Sequence, residues 1–406
     1  MVGISDSITN RNYKKDINYS TELLHWLLKP IGAWPITVDT SWMEIIFYRV
    51  QNVLCSAFVG FVMVSSSLYI IVDVKDMATR LKIIGPISYC MMVIAKYWLF
   101  LIRKKNIRRC INHLETDWKN VRHQDDREIM LESALAGRRI AIVSAVFMYG
   151  GIFFYQGVLP LTSSKVVVGN FTFKPLAYPI SKVIMEARKS PMNDIMIPIE
   201  CLCGFVMDAI SVGACSLAAV FALHACGQLK IIMSCLNDLV DGRPDENNSI
   251  NDRLTDIVQQ HVRVLSFITF TEDLLQEISL VEVLGCTLNM CLIGYNLIAE
   301  WEKGDMVSNF THITLIISFA FNIFIFCYIG ELLAEECKRV AETAYMIDWY
   351  RLEGQKGLGL ILIIAMSSSS IRLTAGKFVD LSISSFGDVI KASVAYLNML
   401  RTVTTQ

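Results

Sequence analysis

Seven apolar runs, each long enough to cross a lipid bilayer, constrain the fold of this chain more than any other feature. They lie near residues 45–72, 83–102, 139–161, 197–224, 279–299, 312–333 and 380–402. A spanning helix needs about 20 mostly apolar residues, because inside a bilayer every backbone N–H and C=O group must be satisfied within the protein. A further run, Leu358 to Met366, is too short to span and indicates a packed or re-entrant helix. The pattern predicts an all-α membrane protein with seven transmembrane helices.

Composition indicates the same class of protein and excludes others. Hydrophobic residues make up 53% of the chain and charged residues 18%, against about 45–50% and about 25% in an average soluble protein. The net charge of -1 gives no reason to expect a nucleic-acid partner. The 12 cysteines lie within apolar runs or in segments assigned below to the cytoplasm, which indicates small buried side chains rather than a disulfide framework or a metal site.

The distribution of Lys and Arg residues predicts the orientation in the membrane. If the N-terminus is cytoplasmic, the inward segments hold more than twice as many of these residues as the outward segments. Cytoplasmic loops carry the excess of positive charge in membrane proteins. We therefore expect a cytoplasmic N-terminus and an extracellular C-terminus. Two sequons, at Asn170 and Asn309, then fall on the outer face and are candidate glycosylation sites.

Long helices are also expected between the spans. The stretch "RLTDIVQQHVRVLSFITF" has apolar residues at steps of three and four and leads into the fifth span, and "GELLAEECKRVAETAYM" extends the sixth. We expect these extensions to pack into an intracellular helical anchor layer. The predicted order along the chain is 1–44, a cytoplasmic N-terminal segment; 45–224, spans one to four; 225–278, a cytoplasmic helical extension; 279–333, spans five and six; 334–379, a cytoplasmic anchor with a short helix; and 380–402, span seven.

Four sequence pieces follow one another near the end of the chain. They are "DWYRL" from Asp348 to Leu352, the run "GLILIIAM", "LTAGKF" from Leu373 to Phe378, and "SFGDVIKASVAYLNMLR". In this order they resemble the C-terminal signature of insect odorant receptors, over the region from Gly330 to Val403. Elsewhere the chain resembles that family in span count, loop sizes and topology. Family members often have a basic residue and a glutamine where this chain has four serines from Ser367 to Ser370.

The resemblance implies an odorant-gated, non-selective cation channel in the cell membrane, at the dendrite of an olfactory sensory neuron. The closing span lacks the sequence typical of the shared co-receptor, so the chain resembles an odorant-tuning subunit that assembles with the olfactory co-receptor into a tetramer. The last span of each subunit would line the pore, and the anchor layer would join the subunits. The implied partners are the co-receptor, a small volatile odorant, permeating cations and the lipid bilayer, with no cofactor and no metal.

Other functions stay open at this point. A G-protein-coupled (metabotropic) chemoreceptor would need the opposite orientation, and a gustatory receptor would share the topology. A secondary transporter often has two similar halves, and no internal repeat is visible in this sequence. An enzyme is not expected, because the sequence has no nucleophile elbow, no phosphate-binding glycine loop and no HExxH motif.

Small and polar residues follow one strip of the closing span, separated by steps of three and four residues. The strip consists of Ser385, Asp388, Ala392, Ala395, Met399 and Thr402. Polar groups inside a span normally face protein or water rather than lipid. Packing against another helix through small residues is one interpretation, and Asp388 and Lys391 are spaced to pair. The resemblance maps the pore lining to Ala395, Met399, Thr402 and Val403.

A site for small, mostly apolar odorants should be apolar and aromatic with few polar anchors. Side chains of this kind occur in the expected outer halves of spans two, three, four and six. The candidates are Tyr89, Met91, Met92, Phe147, Gly151, Phe154, Tyr155, Phe205, Met207, Ser211, Phe319 and Phe321. Ordinary packing between helices or against lipid is the alternative for each of them.

Asp208 lies deeper in span four than Glu200. An ionised carboxylate at that depth costs free energy unless it pairs with another group or faces water.

Overall fold

The computed structural model describes residues 10–35, 41–162, 166–168, 171–187, 189, 191–243, 249–301, 304–352, 357–368 and 372–405. Within them, α-helices account for nearly all of the regular structure. The helices are α1 (Tyr13–Leu28), α2 (Trp42–Leu68), α3 (Met77–Ile102), α4 (Lys104–Asn120), α5 (Gln124–Ile152), α6 (Leu159–Thr162), α7 (Met192–Asn237), α8 (Ile250–Trp301), α9 (Met306–Met346), α10 (Gly357–Ser368) and α11 (Ile383–Thr405). Short π-helical turns at Tyr69–Asp73 and Phe153–Val158 continue α2 and α5, and a 3-10 turn at Trp349–Arg351 follows α9.

Two small antiparallel hairpins are the exception to the all-α prediction. Strands β1 (Val166–Val168) and β2 (Phe171–Phe173) form one hairpin, and β3 (Thr374–Ala375) and β4 (Val379–Asp380) form the other. Neither hairpin is large enough to make a sheet layer. The architecture is therefore helix packed on helix, as predicted.

Six helical segments of the described residues are long and apolar enough to cross a membrane. They are Trp42–Asp73, Thr79–Ile102, Gln124–Thr162, Met192–Asn237, Ile250–Trp301 and Met306–Met346. The seventh predicted span corresponds to α11, a helix of 23 residues that is less apolar because it carries Asp388 and Lys391. These two side chains pair at 3.2 Å on the exposed surface of the helix. The short apolar run near 358–366 forms α10, which has 12 residues.

Helix α7 lies at the centre of the bundle, and almost all of its apolar stretch is buried. It packs against α1, α2, α3, α5, α8 and α9. The stretch "SVGACSLAAV", from Ser211 to Val220, is rich in small residues, which let neighbouring helices approach closely. A Cβ atom added to Gly213 would lie 3.0 Å from Cδ2 of Leu28 in α1. The small residues of the central helix therefore let α1 pack closely against it.

The long helices continue past the apolar runs at the end of the bundle where α3 and α7 end. There α8 runs unbroken from Ile250 into the fifth span, and α9 runs unbroken from the sixth span to Met346. We call the resulting assembly the anchor layer. It consists of α1, α4, α10, residues 225–237 of α7, 250–278 of α8 and 334–346 of α9. Its core includes the fully buried side chains of Trp118 and Phe267.

Asp117 of α4 joins three helices of this region. Its carboxylate accepts hydrogen bonds from Nδ1 of His113 (3.1 Å), Nε2 of His224 (3.0 Å) and Nε of Arg263 (2.6 Å), and the residue is only 7% exposed. Burial by itself raises the pKa of a carboxyl group. The hydrogen bonds from the two histidines and the nearby positive charges outweigh burial and hold the pKa of Asp117 well below its usual range. Asp117 is therefore a buried anion that links α4 to α7 and α8.

The β3–β4 hairpin delivers the chain from the anchor layer to α11. Thr374 hydrogen-bonds to the carboxylate of Glu272 through both its backbone N–H and its hydroxyl group. Gly376, at φ +62°, occupies the left-handed region that favours glycine. On α9, Gly330 lies so close to the backbone carbonyl of Leu381 that a Cβ atom there would collide with it. The "LTAGKF" piece is therefore a turn docked on α8, and Leu381, which follows the hairpin, packs on α9.

Candidate functional site

A cavity of about 390 Å³ lies at the end of the bundle opposite the anchor layer. It is enclosed by the beginning of α3, the end of α5, α6, α7, the end of α8 and the beginning of α9. Its lining is predominantly apolar and includes Pro86, Met148, Ile152, Ile293 and Leu315. This volume falls within the range of about 300–1,000 Å³ that is typical of small-molecule sites.

A loop with two prolines, "KPLAYPISK", covers the cavity. We call residues Lys174 to Lys182 the cover segment; its Pro175, Leu176, Ala177, Tyr178 and Pro179 line the cavity. Three polar side chains from elsewhere hold its backbone. The side chain of Asn193 hydrogen-bonds to the N–H and C=O groups of Lys174, both at 3.1 Å. The carboxylate of Glu200 accepts hydrogen bonds from the N–H groups of Ala177 (3.0 Å) and Tyr178 (3.3 Å). The carboxylate of Asp73 accepts from the hydroxyl of Ser181 (2.8 Å) and the N–H of Lys182 (3.2 Å).

The polar anchor of the cavity is a carboxylate. Asp208 of α7, 1% exposed, lines the cavity and accepts a hydrogen bond of 2.6 Å from the hydroxyl of Tyr89 at its Oδ1 atom. Its Oδ2 atom has no hydrogen-bond partner within the part of the chain that the structure describes. The Tyr89 hydroxyl also lies 3.4 Å from Oγ of Ser211. A carboxylate oxygen thus remains free to accept a bond at a mostly apolar site.

A buried polar network adjoins Asp208. The ammonium group of Lys96 donates to Oγ of Ser211 (2.9 Å) and to Oε2 of Glu282 (2.9 Å), and the side chains of Lys96 and Glu282 are both 0% exposed. Asn322 of α9 and Cys286 of α8 donate to the other carboxylate oxygen of Glu282, at 2.5 and 3.1 Å. This network ties α3, α7, α8 and α9 together beside the cavity.

A second polar group lies on the α8–α9 side of the cavity. Lys82 forms an ion pair of 2.7 Å with Glu300, whose other oxygen accepts a hydrogen bond from Ser308. Asp305 caps the N-terminus of α9 by accepting from the N–H groups of Val307 and Ser308. Each of these two carboxylates therefore already has a protein partner.

Three of the twelve candidate ligand residues lie in the lining of this cavity: Tyr89, Tyr155 and Phe319. The other nine lie outside it in the structure. Met207 and Ser211 are fully buried behind the lining, and Met91 and Phe205 are exposed on the outside of the bundle. The remaining five pack against other side chains: Met92 against Gly285, Phe147 against Phe321, Gly151 against Ser318, and Phe154 against Phe310.

The structure adds lining residues that the apolar pattern did not suggest. Asn289 and Asn296 are seven residues apart on α8, so they share one face, and this spacing was available in the sequence. The sequence indicated Asp208 only as a carboxylate whose burial within a span costs free energy. The cover segment has no periodicity, and its two prolines indicate a loop without indicating where the loop folds.

The pore candidates and the glycosylation candidates lie elsewhere. Ala395, Met399, Thr402 and Val403 are exposed on α11 in the single chain. Asn309 lies in the first turn of α9 and is partly buried. Asn170 falls outside the described residues.

Comparison with known proteins assigns the chain to a family. A family model described as "7tm Odorant receptor" matches residues 76–394. The chain belongs to the 7tm odorant receptor family. The match includes the four C-terminal pieces as far as residue 394 and all of the cavity lining, so the resemblance to odorant receptors is confirmed well beyond the pieces that first indicated it.

Curated relatives of this odorant receptor are distant. Odorant receptor 10 of Aedes albopictus is 24% identical over 220 residues, which is 54% of this chain and 58% of that protein. Odorant receptor 22c of Drosophila melanogaster is 20% identical over 397 residues, 92% of this chain and 94% of that protein. The odorant receptor coreceptor of Harpegnathos saltator is 26% identical over 143 residues, 35% and 29% of the two chains. For the first of these, the match spans little more than half of the relative's length.

A solved structure has the same fold as this odorant receptor. The insect olfactory receptor OR5 from Machilis hrabei, solved alone and in complex with eugenol, superposes with a TM-score of 0.76. The likeness covers 97% of this chain and 100% of that chain at 14% sequence identity. The protein is thus a multi-pass membrane protein with an insect olfactory receptor fold, and these findings do not favour the metabotropic or gustatory alternatives.

Proposed function

We propose that this odorant receptor is the odorant-tuning subunit of a ligand-gated, non-selective cation channel that assembles with the olfactory co-receptor. The observation that carries the ligand-binding role is the cavity of about 390 Å³ beneath the tethered cover segment. Its apolar wall with a few convergent polar groups is the arrangement that suits a small volatile molecule. Tyr89, Tyr155 and Phe319 supply its aromatic surface.

The channel role is supported by α11. Its candidate pore residues are exposed in the single chain, and the exposed ion pair of Asp388 and Lys391 lies on the same short helix. A helix with charged and small polar groups is costly in lipid, because lipid offers no hydrogen-bond partner. Packing four such helices around a water-filled axis removes that cost. We propose this arrangement, with Met399 and Val403 forming an apolar constriction that can gate by dewetting.

The proposed location is the cell membrane of an olfactory sensory neuron dendrite, with the N-terminus and the anchor layer in the cytoplasm. The excess of Lys and Arg residues in the segments of the anchor end supports this orientation. Epitope tags at the two termini test it: antibody should reach a C-terminal tag on intact cells and an N-terminal tag only after permeabilisation. The reverse pattern would contradict the orientation.

The function is tested by whole-cell recording from cells that express this chain with and without an insect co-receptor, while G-protein signalling is blocked. We expect odorant-evoked cation current that needs the co-receptor and is unaffected by the block. Loss of the current under the block would overturn the channel proposal. Equal currents without the co-receptor would overturn the proposed assembly.

A further inference from the structure

We infer that the cavity selects a small apolar molecule that carries an amine, with Asp208 binding the ammonium group. The inference rests on the proposed function and names the chemical class of its ligand. It follows from the hydrogen bonds and charges at the cavity.

The first observation is the unused oxygen of Asp208. Tyr89 occupies Oδ1 at 2.6 Å, whereas Oδ2 has no partner among the residues that the structure describes. Asp208 is 1% exposed, so bulk water does not replace that partner. A buried acceptor without a donor is costly, and more so when the acceptor is charged. An ammonium group supplies both the hydrogen-bond donor and the positive charge that keep this carboxyl group ionised, and a ketone, aldehyde or ester supplies neither.

The second observation is the balance of buried charge. Lys96 is the cation of the adjoining network, and its ammonium group is engaged by Glu282 at 2.9 Å, with both side chains 0% exposed. Lys96 reaches the Asp208 side of the network through the hydroxyl groups of Ser211 and Tyr89. Glu282 therefore holds the buried ammonium, and Asp208 touches no cation among the described residues. A buried carboxyl group in this position is ionised only when a cation binds it, and an amine ligand supplies that cation, which a neutral hydroxyl donor cannot do.

The third observation concerns the rest of the lining. Among the described residues that line the cavity, three carry carboxylates (Asp208, Glu300 and Asp305) and one is a lysine. That lysine, Lys82, is engaged by Glu300 at 2.7 Å. The histidine of the lining, His312, lies 3.8 Å from Glu300 and 2.7 Å from the backbone carbonyl of Ser308. A carboxylic acid ligand would therefore meet carboxyl groups, and the basic side chains of the described lining already have acidic neighbours. The electrostatic field of the cavity thus favours a cation and disfavours an anion.

The test uses ligands that share one skeleton and differ in one functional group. Benzylamine, benzyl alcohol, benzaldehyde and benzoic acid form one set, and the corresponding phenethyl and hexyl compounds form two more. Currents are recorded from cells that express the wild-type chain with the co-receptor. We expect the amine to have the lowest half-maximal concentration in each set that evokes current, and the acid to be inactive.

The variant that isolates the charge is Asp208→Asn, which keeps the shape and an acceptor for Tyr89. Loss of a charge-assisted hydrogen bond should raise the half-maximal amine concentration by about 10- to 100-fold. Surface labelling of the variant expressed with the co-receptor shows whether it folds and assembles, and the amine should lose more potency than the alcohol of the same skeleton, because only the amine brings a charge. The matched control is Glu336→Gln on α9, another buried carboxylate, which lies outside the cavity and whose Oε2 atom has no hydrogen-bond partner in the described parts of the chain. It should leave amine selectivity unchanged.

Several outcomes separate this inference from the proposed function. Odorant-evoked current whose most potent ligands are aldehydes, ketones or acids overturns the inference and leaves the channel proposal in place. An unchanged amine response in Asp208→Asn overturns it as well. If that variant does not reach the surface, the wild-type ranking within each skeleton set still decides the question. Absence of current with any compound of a broad odorant panel would instead contradict the proposed function.

Discussion

The ammonium group of Lys96 lies 2.9 Å from the carboxylate of Glu282, and both side chains are completely buried. The pair joins α3 to α8 within the apolar part of the bundle, where the cost of an isolated charge is high. Hydrogen bonds from Asn322 and Cys286 complete the coordination of Glu282. This pair therefore fixes the relative position of helices that line the cavity.

Removing one partner of this pair should destabilise the protein strongly. Lys96→Met leaves Glu282 as an uncompensated buried charge, and breaking a buried pair in this way typically costs about 3–5 kcal/mol. We expect greatly reduced surface expression and a lower thermal midpoint in detergent. The double variant Lys96→Met with Glu282→Leu, which removes both charges, should recover much of the loss. If the double variant is less stable than either single variant, the pair is not the source of the effect.

The stability of the anchor layer should depend on pH through Asp117. Hydrogen bonds and positive charge hold the folded-state pKa of Asp117 below its value in the unfolded chain. The group therefore contributes stability that is fully present above the unfolded pKa and is lost as the pH falls through the folded pKa. We expect the thermal midpoint of the purified protein to fall as the pH is lowered below about 4.

The variant Asp117→Asn isolates this contribution. It should lower the midpoint at neutral pH and flatten its decline in acid. The control is Asp256→Asn, since Asp256 forms an exposed pair with Arg122 at 3.4 Å, and such pairs contribute less than about 1 kcal/mol. An acid profile of Asp117→Asn identical to that of the wild type would contradict the assignment.

Gly330→Ala should displace the segment that follows the β3–β4 hairpin from α9. The added Cβ atom would collide with the backbone carbonyl of Leu381, and a backbone atom cannot move aside as a flexible side chain can. We expect a loss of about 1–3 kcal/mol, measured as a lower thermal midpoint. Gly60→Ala in α2 is the matched control, because nothing lies within 4 Å of its new Cβ atom. This control should be neutral or more stable by up to about 1 kcal/mol.

Glu200 should control how firmly the cover segment closes the cavity. Glu200→Ala removes the acceptor for the N–H groups of Ala177 and Tyr178, at a cost of about 1–3 kcal/mol. We expect a higher half-maximal odorant concentration and faster decay of current after odorant removal. Glu200→Gln retains one carbonyl acceptor and should lie between the wild type and the alanine variant. Equal decay rates in all three proteins would show that this tether does not limit ligand release.

Two valines of α11 test the pore proposal. Val403 and Val394 are both exposed in the single chain, at 67% and 51%, but they point to different sides of the helix. Current through Val403→Cys should be blocked by a charged thiol reagent that is applied from outside. Val394→Cys, the matched control, should resist block, because its side chain faces away from the axis. Block of Val394→Cys alone would mean that the opposite face of α11 lines the pore.

The spans and the C-terminal pieces could be predicted from the sequence because they depend on local pattern. Hydrophobic length predicts spanning helices wherever it occurs, and α2, α3, α5, α7, α8 and α9 confirm this for six of the seven runs. The three-residue spacing of Asp388 and Lys391 allowed a pair or a lysine that extends to the interface, and the structure contains the pair. The resemblance of the four pieces at the chain's end to odorant receptors is confirmed by the family match.

The cavity could be predicted only in part. Tyr89, Tyr155 and Phe319 line it, whereas Phe205, of the same chemical kind, is 59% exposed on the outside of α7. Residue type cannot distinguish a cavity-lining aromatic side chain from one on the outside of the bundle. A span that is apolar on all sides has no polar face to indicate which side packs against a neighbouring helix. The rotation of each helix about its axis is set by packing against the others.

The sequence by itself determined the class of the protein, the number and approximate limits of its spans, and the family to which it belongs, because these features reside in local hydrophobicity and in one ordered signature. Only the tertiary structure decided that Lys96 pairs with Glu282, and that Oδ2 of Asp208 has no hydrogen-bond partner among the described residues beside the cavity. Lys96 and Glu282 are 186 residues apart in the sequence, and Tyr89 and Asp208 are 119 residues apart. Contacts at such separation arise from how helices pack, and no local pattern encodes them.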